Sequence, residues 1–145
     1  MSRPFTLLLV EDELADAELF QDMLVEVAPD IQVTHVEHGQ AALDHLTRTQ
    51  PGRPDLIVLD LNMPVMNGHD FLAQAKTIPA LRGIPVLVLS TSDHPEDIHR
   101  AYDGQASGYV LKPGTYQEYT QVLSTIQAYW RGLVKLPSVE ELTGT

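Results

Sequence analysis

Residues able to bind a cation or to take part in phosphoryl transfer stand at the ends of short apolar runs in this 145-residue chain. They are Glu11 and Asp12 after the first run and Asp60, Ser90 and Lys112, each after a later run. Three carboxylates brought close together repel one another, so that either a proton or a cation must join them. Because oxygen ligands without His or Cys favour a hard ion, the sequence predicts a Mg²⁺ site.

The same set of side chains fits the transfer of a phosphoryl group. One carboxylate would attack phosphorus, while the cation and Lys112 would neutralise charge on the phosphoryl oxygens and Ser90 would hydrogen-bond them. Each residue alone has an ordinary structural explanation, since Asp12 could cap a helix and Lys112 could be an exposed loop charge. Their joint position at the ends of predicted strands favours the functional interpretation.

The alternation of apolar runs with helical stripes predicts five consecutive β/α units. Strands are expected at about 5–10, 31–36, 56–59, 86–90 and 108–111. Helices are expected at about 14–27, around Leu43 and Leu46, at about 69–77, after Asp93 and after Thr115. Helical connections make the strands parallel and place helices on both faces of the sheet.

The composition of the second strand indicates the order of the sheet. Its mixed apolar and polar residues suit an edge, whereas the continuous apolar runs of the first, third and fourth strands indicate burial on both faces. We therefore expect an α/β fold, the flavodoxin-like (βα)5 three-layer sandwich with parallel strand order 2-1-3-4-5. In that order a ligand crevice opens at the carboxyl ends of the first and third strands, where Glu11, Asp12 and Asp60 stand.

The sequence has residues with the spacing of a capping box before two of the predicted helices. Asp93 and Glu96, with Pro95 between them, predict the start of the fourth helix, and Thr115 and Glu118 predict the start of the fifth. The apolar stripe of the fifth helix is expected to comprise Tyr119, Val122, Leu123, Ile126, Trp130 and Leu133.

The composition excludes several classes of function. A formal charge of −11 without a basic cluster argues against nonspecific binding to nucleic acid or anionic lipid. The absence of Cys excludes disulfides and a Cys nucleophile. No apolar run approaches the ~18 residues of a membrane span and the N-terminus lacks signal-peptide anatomy, so a cytoplasmic protein is expected. The six histidines form no metal-ligand motif and are expected to be solvated: His35, His38, His45, His69, His94 and His99.

Over about residues 5–130 the chain resembles the receiver domain of two-component response regulators. The resemblance rests on the segments 7–12 (LLLVED), 60–68 (DLNMPVMNG), 88–91 (VLST) and 108–113 (GYVLKP). The separations of Ser90 and Lys112 from Asp60 are similar to those of the stand-alone chemotaxis receiver. The chain differs from many receivers in having Glu11 for Asp, Ser90 for Thr, and the bulkier Thr91 where Ala or Gly is usual.

The resemblance implies a metal site and its ligands. Asp12, Asp60 and the backbone carbonyl of Asn62 would hold Mg²⁺, with Glu11 acting mostly through water.

The resemblance also implies a phosphoacceptor and a switch. Asp60 would take a phosphoryl group from a kinase phosphohistidine, Ser90 would hydrogen-bond that group and Lys112 would pair with it. Tyr109 would be the aromatic residue that turns inward when Ser90 moves. These roles describe a phosphoacceptor signalling protein rather than an enzyme.

The C-terminal segment resembles one group of receivers in particular. Residues 1–133 are expected to form the receiver and 134–145 a tail, too short for an effector domain, which predicts a single-domain regulator. The segment 129–137 (YWRGLVKLP) is similar to the tail of regulators paired with phytochrome histidine kinases. Apolar groups beyond the fifth helix predict a homodimer through the last helix and tail; the alternative is that Trp130 and Leu133 fold back onto the domain.

Other functions share parts of this pattern. A haloacid-dehalogenase-type phosphatase would need a second acid where the chain has Asn62, together with a cap domain. A flavodoxin-like FMN carrier would need a phosphate loop where Glu11, Asp12 and Glu13 stand. A scaffolding pseudo-receiver is a third alternative, and the kinase could be of a chemotaxis or phosphorelay type instead of a phytochrome.

Overall fold

The computed structural model describes residues 4–48, 53–61 and 66–137 of the chain. In these ranges five strands alternate with five helices, as the apolar runs predict. The strands are β1 (Thr6–Val10), β2 (Gln32–Val36), β3 (Leu56–Leu59), β4 (Val86–Ser90) and β5 (Gly108–Leu111). The helices are α1 (Leu14–Val27), α2 (Gly39–Thr47), α3 (Gly68–Thr77), α4 (Pro95–Asp103) and α5 (Tyr116–Gln127), and α5 runs into a π-helical turn (Ala128–Leu133).

The strands form one parallel sheet in the order β2-β1-β3-β4-β5. This arrangement confirms the expected flavodoxin-like fold, with the mixed second strand at an edge. The register pairs Val10 with Leu59 and Ser90 with Leu111. The residues that follow β1 and β3, and those that end β4 and follow β5, therefore lie along the same edge of the sheet.

The sheet is covered by apolar side chains on both faces. One face packs against α2, α3 and α4 around Phe71, and the other packs against α1 and α5 around Phe20 and Met23. Every residue of β3 and β4 is buried, because both faces of these central strands meet helices. Complete burial of one large aliphatic side chain contributes about 1.5–3 kcal/mol, so the middle of the sheet is the most firmly held part of the fold.

One of the two capping predictions is confirmed and the other is wrong. The Thr115 hydroxyl accepts a hydrogen bond from the Glu118 N–H at 3.2 Å and caps α5. Helix α4 instead has His94 at its N-cap and no side-chain cap. Pro95 occupies the first helical turn, where its missing N–H costs nothing, and this leaves Asp93 one position too early to cap.

The stripe predicted for the fifth helix is only partly correct. Trp130 is half-buried and packs against the α1/α5 side of the core, whereas Leu133 is 74% exposed. The wider π-helical turn moves the residues after Gln127 out of the 3.6-residue period. Arg131 in this turn forms an ion pair with Asp30. Residues 138–145 of the predicted tail lie outside the described ranges.

Among the described residues, no helix combines the length and the apolar character needed to cross a bilayer.

Candidate functional site

Three carboxylates meet at the carboxyl edge of the sheet. Glu11 and Asp12 follow β1 and Asp60 follows β3. One carboxylate oxygen from each of the three lies within 4.8 Å of the others. The backbone sets this arrangement, since the Asp60 N–H donates to the Val10 carbonyl at 3.0 Å and extends the strand pairing by one residue. Glu11 and Asp60 are buried, at 4% and 9% exposure.

Lys112 brings one positive charge to these acids. Its Nζ lies 2.7 Å from Glu11 Oε1 and 3.6 Å from Asp16 Oδ2, and its side chain is 12% exposed. Burial disfavours the ammonium form, but the hydrogen bond to Glu11 and the charges of Glu11 and Asp60 outweigh it and raise the Lys112 pKa above its ordinary value. Lys112 is therefore an ammonium ion at neutral pH, and its direct hydrogen bond goes to Glu11.

The acids have the composition and the spacing of a divalent-cation site. Three carboxylates outnumber one ammonium group at a largely buried edge, which is an unfavourable balance unless a cation joins them. The donor atoms are oxygens, which hard cations prefer. Asn62, the fourth predicted ligand, lies outside the described residues.

Ser90 ends β4 and is fully buried. Its Oγ accepts a hydrogen bond from the Ser92 N–H at 3.1 Å. Its carbonyl accepts the Lys112 N–H at 2.8 Å, which ties the ends of β4 and β5 together. Because the Ser92 N–H uses an acceptor position of Ser90 Oγ, the hydroxyl proton remains available to a further acceptor.

Tyr109, the predicted switch residue, lies half-buried on β5 against the α2/α3/α4 side of the core. Its hydroxyl donates to the Ser92 carbonyl at 2.7 Å. The ring is thereby connected to the loop that directly follows Ser90.

Gly68, at the start of α3, lets the chain close tightly after Asp60. A Cβ at this position would lie 2.5 Å from the Asp60 carbonyl oxygen and 2.6 Å from the Leu61 Cα. The Gly68 N–H donates to the Leu61 carbonyl at 2.9 Å. Only a residue without a side chain fits against this backbone.

The expectation that the histidines are solvated is wrong for His69 and only partly correct for His35 and His38, which are half-buried. His35 Nε2 lies 2.7 Å from the Glu11 carbonyl, and His38 accepts the Ala41 N–H and caps α2. The side chain of His69 on α3 is 8% exposed, and its Nε2 lies 3.3 Å from Asp97 Oδ1. His38 could have been recognised from its position before a helical Gly. The contacts of His35 and His69 depend on tertiary packing, which no local signal in the sequence reveals.

Comparison with known proteins assigns the chain to a protein family. A family model described as the response regulator receiver domain matches residues 7–124. Under the name Probable methanogenesis regulatory protein FilR2, a protein of Methanothrix harundinacea is 35% identical over 137 residues, covering 92% of this chain and 88% of the relative. Response regulator Rcp1 of Synechocystis sp. is 34% identical over 139 residues, covering 93% of this chain and 95% of Rcp1.

Solved structures agree with this assignment. The phosphorylated cyanobacterial phytochrome response regulator RcpA superimposes with a TM-score of 0.87 at 36% identity, covering 94% of this chain and 100% of RcpA. The Mn²⁺-bound form of Rcp1 superimposes with a TM-score of 0.85 at 34% identity, covering 93% of this chain and 100% of that chain. Membership of this family excludes the two alternatives of a haloacid-dehalogenase-type phosphatase and a flavodoxin-like FMN carrier. The chain belongs to the receiver domains of two-component response regulators, signalling domains that bind a divalent metal and act with a histidine kinase.

Proposed function

We propose that this chain accepts a phosphoryl group from a histidine kinase on Asp60, in a reaction that depends on Mg²⁺. The observation that carries the proposal is the meeting of Glu11, Asp12 and Asp60 within 4.8 Å, with Lys112 bonded to one of them. This is the only cluster of three potential metal-ligating residues found among the described residues.

The transfer exchanges one bond to phosphorus for another. A carboxylate oxygen of Asp60 attacks phosphorus while the bond to the kinase imidazole nitrogen breaks, which leaves an acyl phosphate on this chain and a histidine on the kinase. A bound Mg²⁺ supplies positive charge that offsets the charge on the phosphoryl oxygens. Asp12, Asp60 and the Asn62 carbonyl would hold it. Both Glu11 oxygens already take part in hydrogen bonds, with Lys112 and with the Glu13 N–H, which fits a role for Glu11 through water.

The protein's own groups receive the transferred phosphoryl group. The Ser90 hydroxyl donates a hydrogen bond to one phosphoryl oxygen, and the Lys112 ammonium group pairs with another. The aspartyl phosphate carries about 1.5–2 negative charges in place of the single charge of the Asp60 carboxylate, and it competes with Glu11 for the Lys112 ammonium group. The loop after Ser90 then shifts its preferred position, and Tyr109 follows it because its hydroxyl is bonded to Ser92. The result is a shift in population between two forms of the α4–β5–α5 surface.

The proposed kinase is a phytochrome histidine kinase. The similarity to Rcp1 and to RcpA supports it, since RcpA is a phytochrome response regulator. The comparable similarity to FilR2 keeps a non-phytochrome kinase, of a chemotaxis or phosphorelay type, as the second candidate. Phosphorylation rates measured with each kind of kinase separate the two.

The dimer is the second part of the proposal. Residues 1–133 form the receiver and 134–145 the tail, and a homodimer assembles through α5 and the tail. Tyr129 and Leu133 support it, because they are 49% and 74% exposed and large apolar groups at a surface favour association. Half-buried Trp130 belongs to the domain itself. Leu133→Ser should shift the sedimenting species toward the monomer, and an unchanged mass would exclude this interface.

The chain's other predicted properties follow from the same function. We propose that it acts through protein contacts in the cytoplasm, without binding nucleic acid or a membrane. The charge of −11 supports this, because phosphate backbones and anionic lipids repel such a surface.

The deciding experiment is labelling by acetyl phosphate with and without Mg²⁺. Wild type should gain an acid-stable, base-labile label only with Mg²⁺, and Asp60→Asn should gain none. Asp70→Asn is the control, since Asp70 is an exposed acid on α3 and should label like wild type. Label that persists in Asp60→Asn would show that another residue is the phosphoacceptor. A wild type that takes no label would instead indicate a pseudo-receiver.

A further inference from the structure

A chain of hydrogen bonds leads from α3 to the Ser90 hydroxyl and involves no member of the acid cluster. His69 Nε2 on α3 lies 3.3 Å from Asp97 Oδ1 on α4. The other oxygen of Asp97 accepts a hydrogen bond from the Ser92 hydroxyl, in the loop between β4 and α4. The Ser92 N–H in turn donates to Ser90 Oγ at 3.1 Å.

The burial of His69 fixes the direction of the first hydrogen bond. Its Nδ1 is buried and has no hydrogen-bond partner among the described residues. A proton on Nδ1 would be left unsatisfied, whereas a proton on Nε2 can be donated to Asp97. A ring with its proton on Nε2 therefore fits this site. The hydrogen bonds from Ser92 and from His69 lower the Asp97 pKa, so that its carboxylate accepts from both sides at neutral pH.

Apolar packing holds this loop and the helix after it only weakly. Of the nine described residues of α4, Ala101 alone is buried. Ser92 makes four hydrogen bonds among the described residues: its N–H donates to Ser90, its hydroxyl donates to Asp97 and accepts from the His94 N–H, and its carbonyl accepts from Tyr109. With so little apolar contact on α4, these polar bonds determine where the loop lies.

We infer that His69 is a positioning residue for phosphoryl transfer: through Asp97 and Ser92 it fixes the loop that orients the Ser90 hydroxyl. The inference rests on the function proposed above. The Ser92 N–H occupies one acceptor position of Ser90 Oγ and so directs the hydroxyl proton toward the phosphoryl oxygen. Without the His69 bond, Asp97 and Ser92 lose their connection to α3, and the hydroxyl points correctly for a smaller fraction of the time.

Three substitutions of histidines separate positioning from packing. His69→Met keeps a side chain of similar length without the hydrogen bond, and His69→Gln keeps an N–H donor at a similar reach. His99→Met is the matched control, because His99 is exposed on α4. Each variant is labelled with acetyl phosphate and Mg²⁺ over a range of acetyl phosphate concentrations, and the maximal rate and the half-saturating concentration are determined separately.

His69→Met should lower the maximal labelling rate about threefold to tenfold, the effect of one ordinary hydrogen bond. The half-saturating concentration should stay unchanged, since acetyl phosphate is held by the acid cluster's cation and Lys112. His69→Gln should recover most of the rate, and His99→Met should match wild type. Ser92→Ala should reproduce the loss, and the His69→Met/Ser92→Ala double variant should be no slower than either single variant, because both break the same chain of bonds.

Three results would overturn the inference. They are an unchanged rate in His69→Met, a loss that His69→Gln does not recover, and losses that multiply in the double variant. If His69→Met does not fold, an unchanged rate in Ser92→Ala overturns the inference by itself. These failures are seen with a wild type that takes label, whereas a wild type that takes none overturns the proposed function as well.

Discussion

The centre of the sheet and its α4–β5 side are built in opposite ways. All residues of β3 and β4 are buried, and Asp60 and Ser90 stand at their ends. On the other side, none of the four described β5 residues is buried, and in the nine-residue α4 the single buried residue is Ala101. The acids are thus fixed by dense packing, while Tyr109 and the loop after Ser90 are held mainly by hydrogen bonds.

This difference matches the two tasks of a receiver. Binding a cation and attacking phosphorus require fixed oxygen positions, which rigid strands provide. A change of surface requires a region that rearranges at small free-energy cost, which sparse apolar packing provides. Lys112 joins the two regions, because it follows β5 and is bonded to Glu11 after β1.

Two leucines test the contrast most strongly. Leu59 and Leu111 are the last residues of β3 and β5 and directly precede Asp60 and Lys112, but their exposures are 0% and 47%. Leu59→Ala should lower the free energy of unfolding by about 3 kcal/mol through the cavity it leaves. Leu111→Ala should cost less than about 1 kcal/mol. Urea unfolding measures both, and equal losses would contradict the contrast.

A substitution in the loop after Asp60 should have the next largest effect. Gly68→Ala forces a Cβ against the backbone of Asp60 and Leu61, and should cost about 2–3 kcal/mol of unfolding free energy and reduce labelling of Asp60. Gly114→Ala is the control, since its Cβ would meet no atom of the described structure within 4 Å. Thermal unfolding of the two variants measures the difference in stability. A Gly68→Ala protein as stable as Gly114→Ala would refute the close packing of Gly68 against the backbone of Asp60 and Leu61.

The sequence predicts the central region better than the α4–β5 side. Uninterrupted apolar runs gave the bounds of β3 and β4, and the mixed pattern of β2 placed it at an edge. The hydrogen bond between Lys112 and Glu11, by contrast, joins residues 101 positions apart. The burial of His69 and the start of α4 at Pro95 also depend on how elements pack, and the π-helical turn after Gln127 interrupts a regular stripe. Periodicity reports which face of an element is buried, but not which polar groups meet across elements.

The link between the two regions can be broken at Lys112. Lys112→Met leaves Glu11 buried without its ammonium partner, and should cost about 1–2 kcal/mol, below the value for a fully buried pair because the site is partly open to water. Mg²⁺ should stabilise this variant more than wild type, since the carboxylates have lost their protein cation. Lys135→Met, at an exposed position, should behave like wild type. Chemical unfolding with and without Mg²⁺ measures the stabilisation by the cation. An equal gain in unfolding free energy for wild type and Lys112→Met would argue against a site in which Lys112 and Mg²⁺ neutralise the same carboxylates.

The smallest effect concerns Tyr119 on α5, which is buried beside the fixed region. Burial raises its pKa from 10.0 to about 12. The folded state thus favours the neutral phenol, and this contribution to stability is complete below about pH 10 and is lost as the pH rises through about 12. Spectrophotometric titration should show a late phenol ionisation that Tyr119→Phe removes and Tyr102→Phe leaves in place. The hydrogen bond to Glu26 also raises the pKa of Tyr116, so an ionisation near pH 12 that survives in a Tyr116→Phe/Tyr119→Phe double variant would contradict the assignment.

The central claim is that the acid cluster at the fixed strand ends accepts phosphorus on Asp60. Reduction of the labelled chain with borohydride converts an acyl phosphate to the alcohol of the same residue, and peptide mass spectrometry locates that residue. With Mg²⁺, we expect homoserine at position 60, and no conversion when the cation is chelated. Reduction at Asp12 or another acid, or conversion at position 60 that is indifferent to chelation, would contradict it.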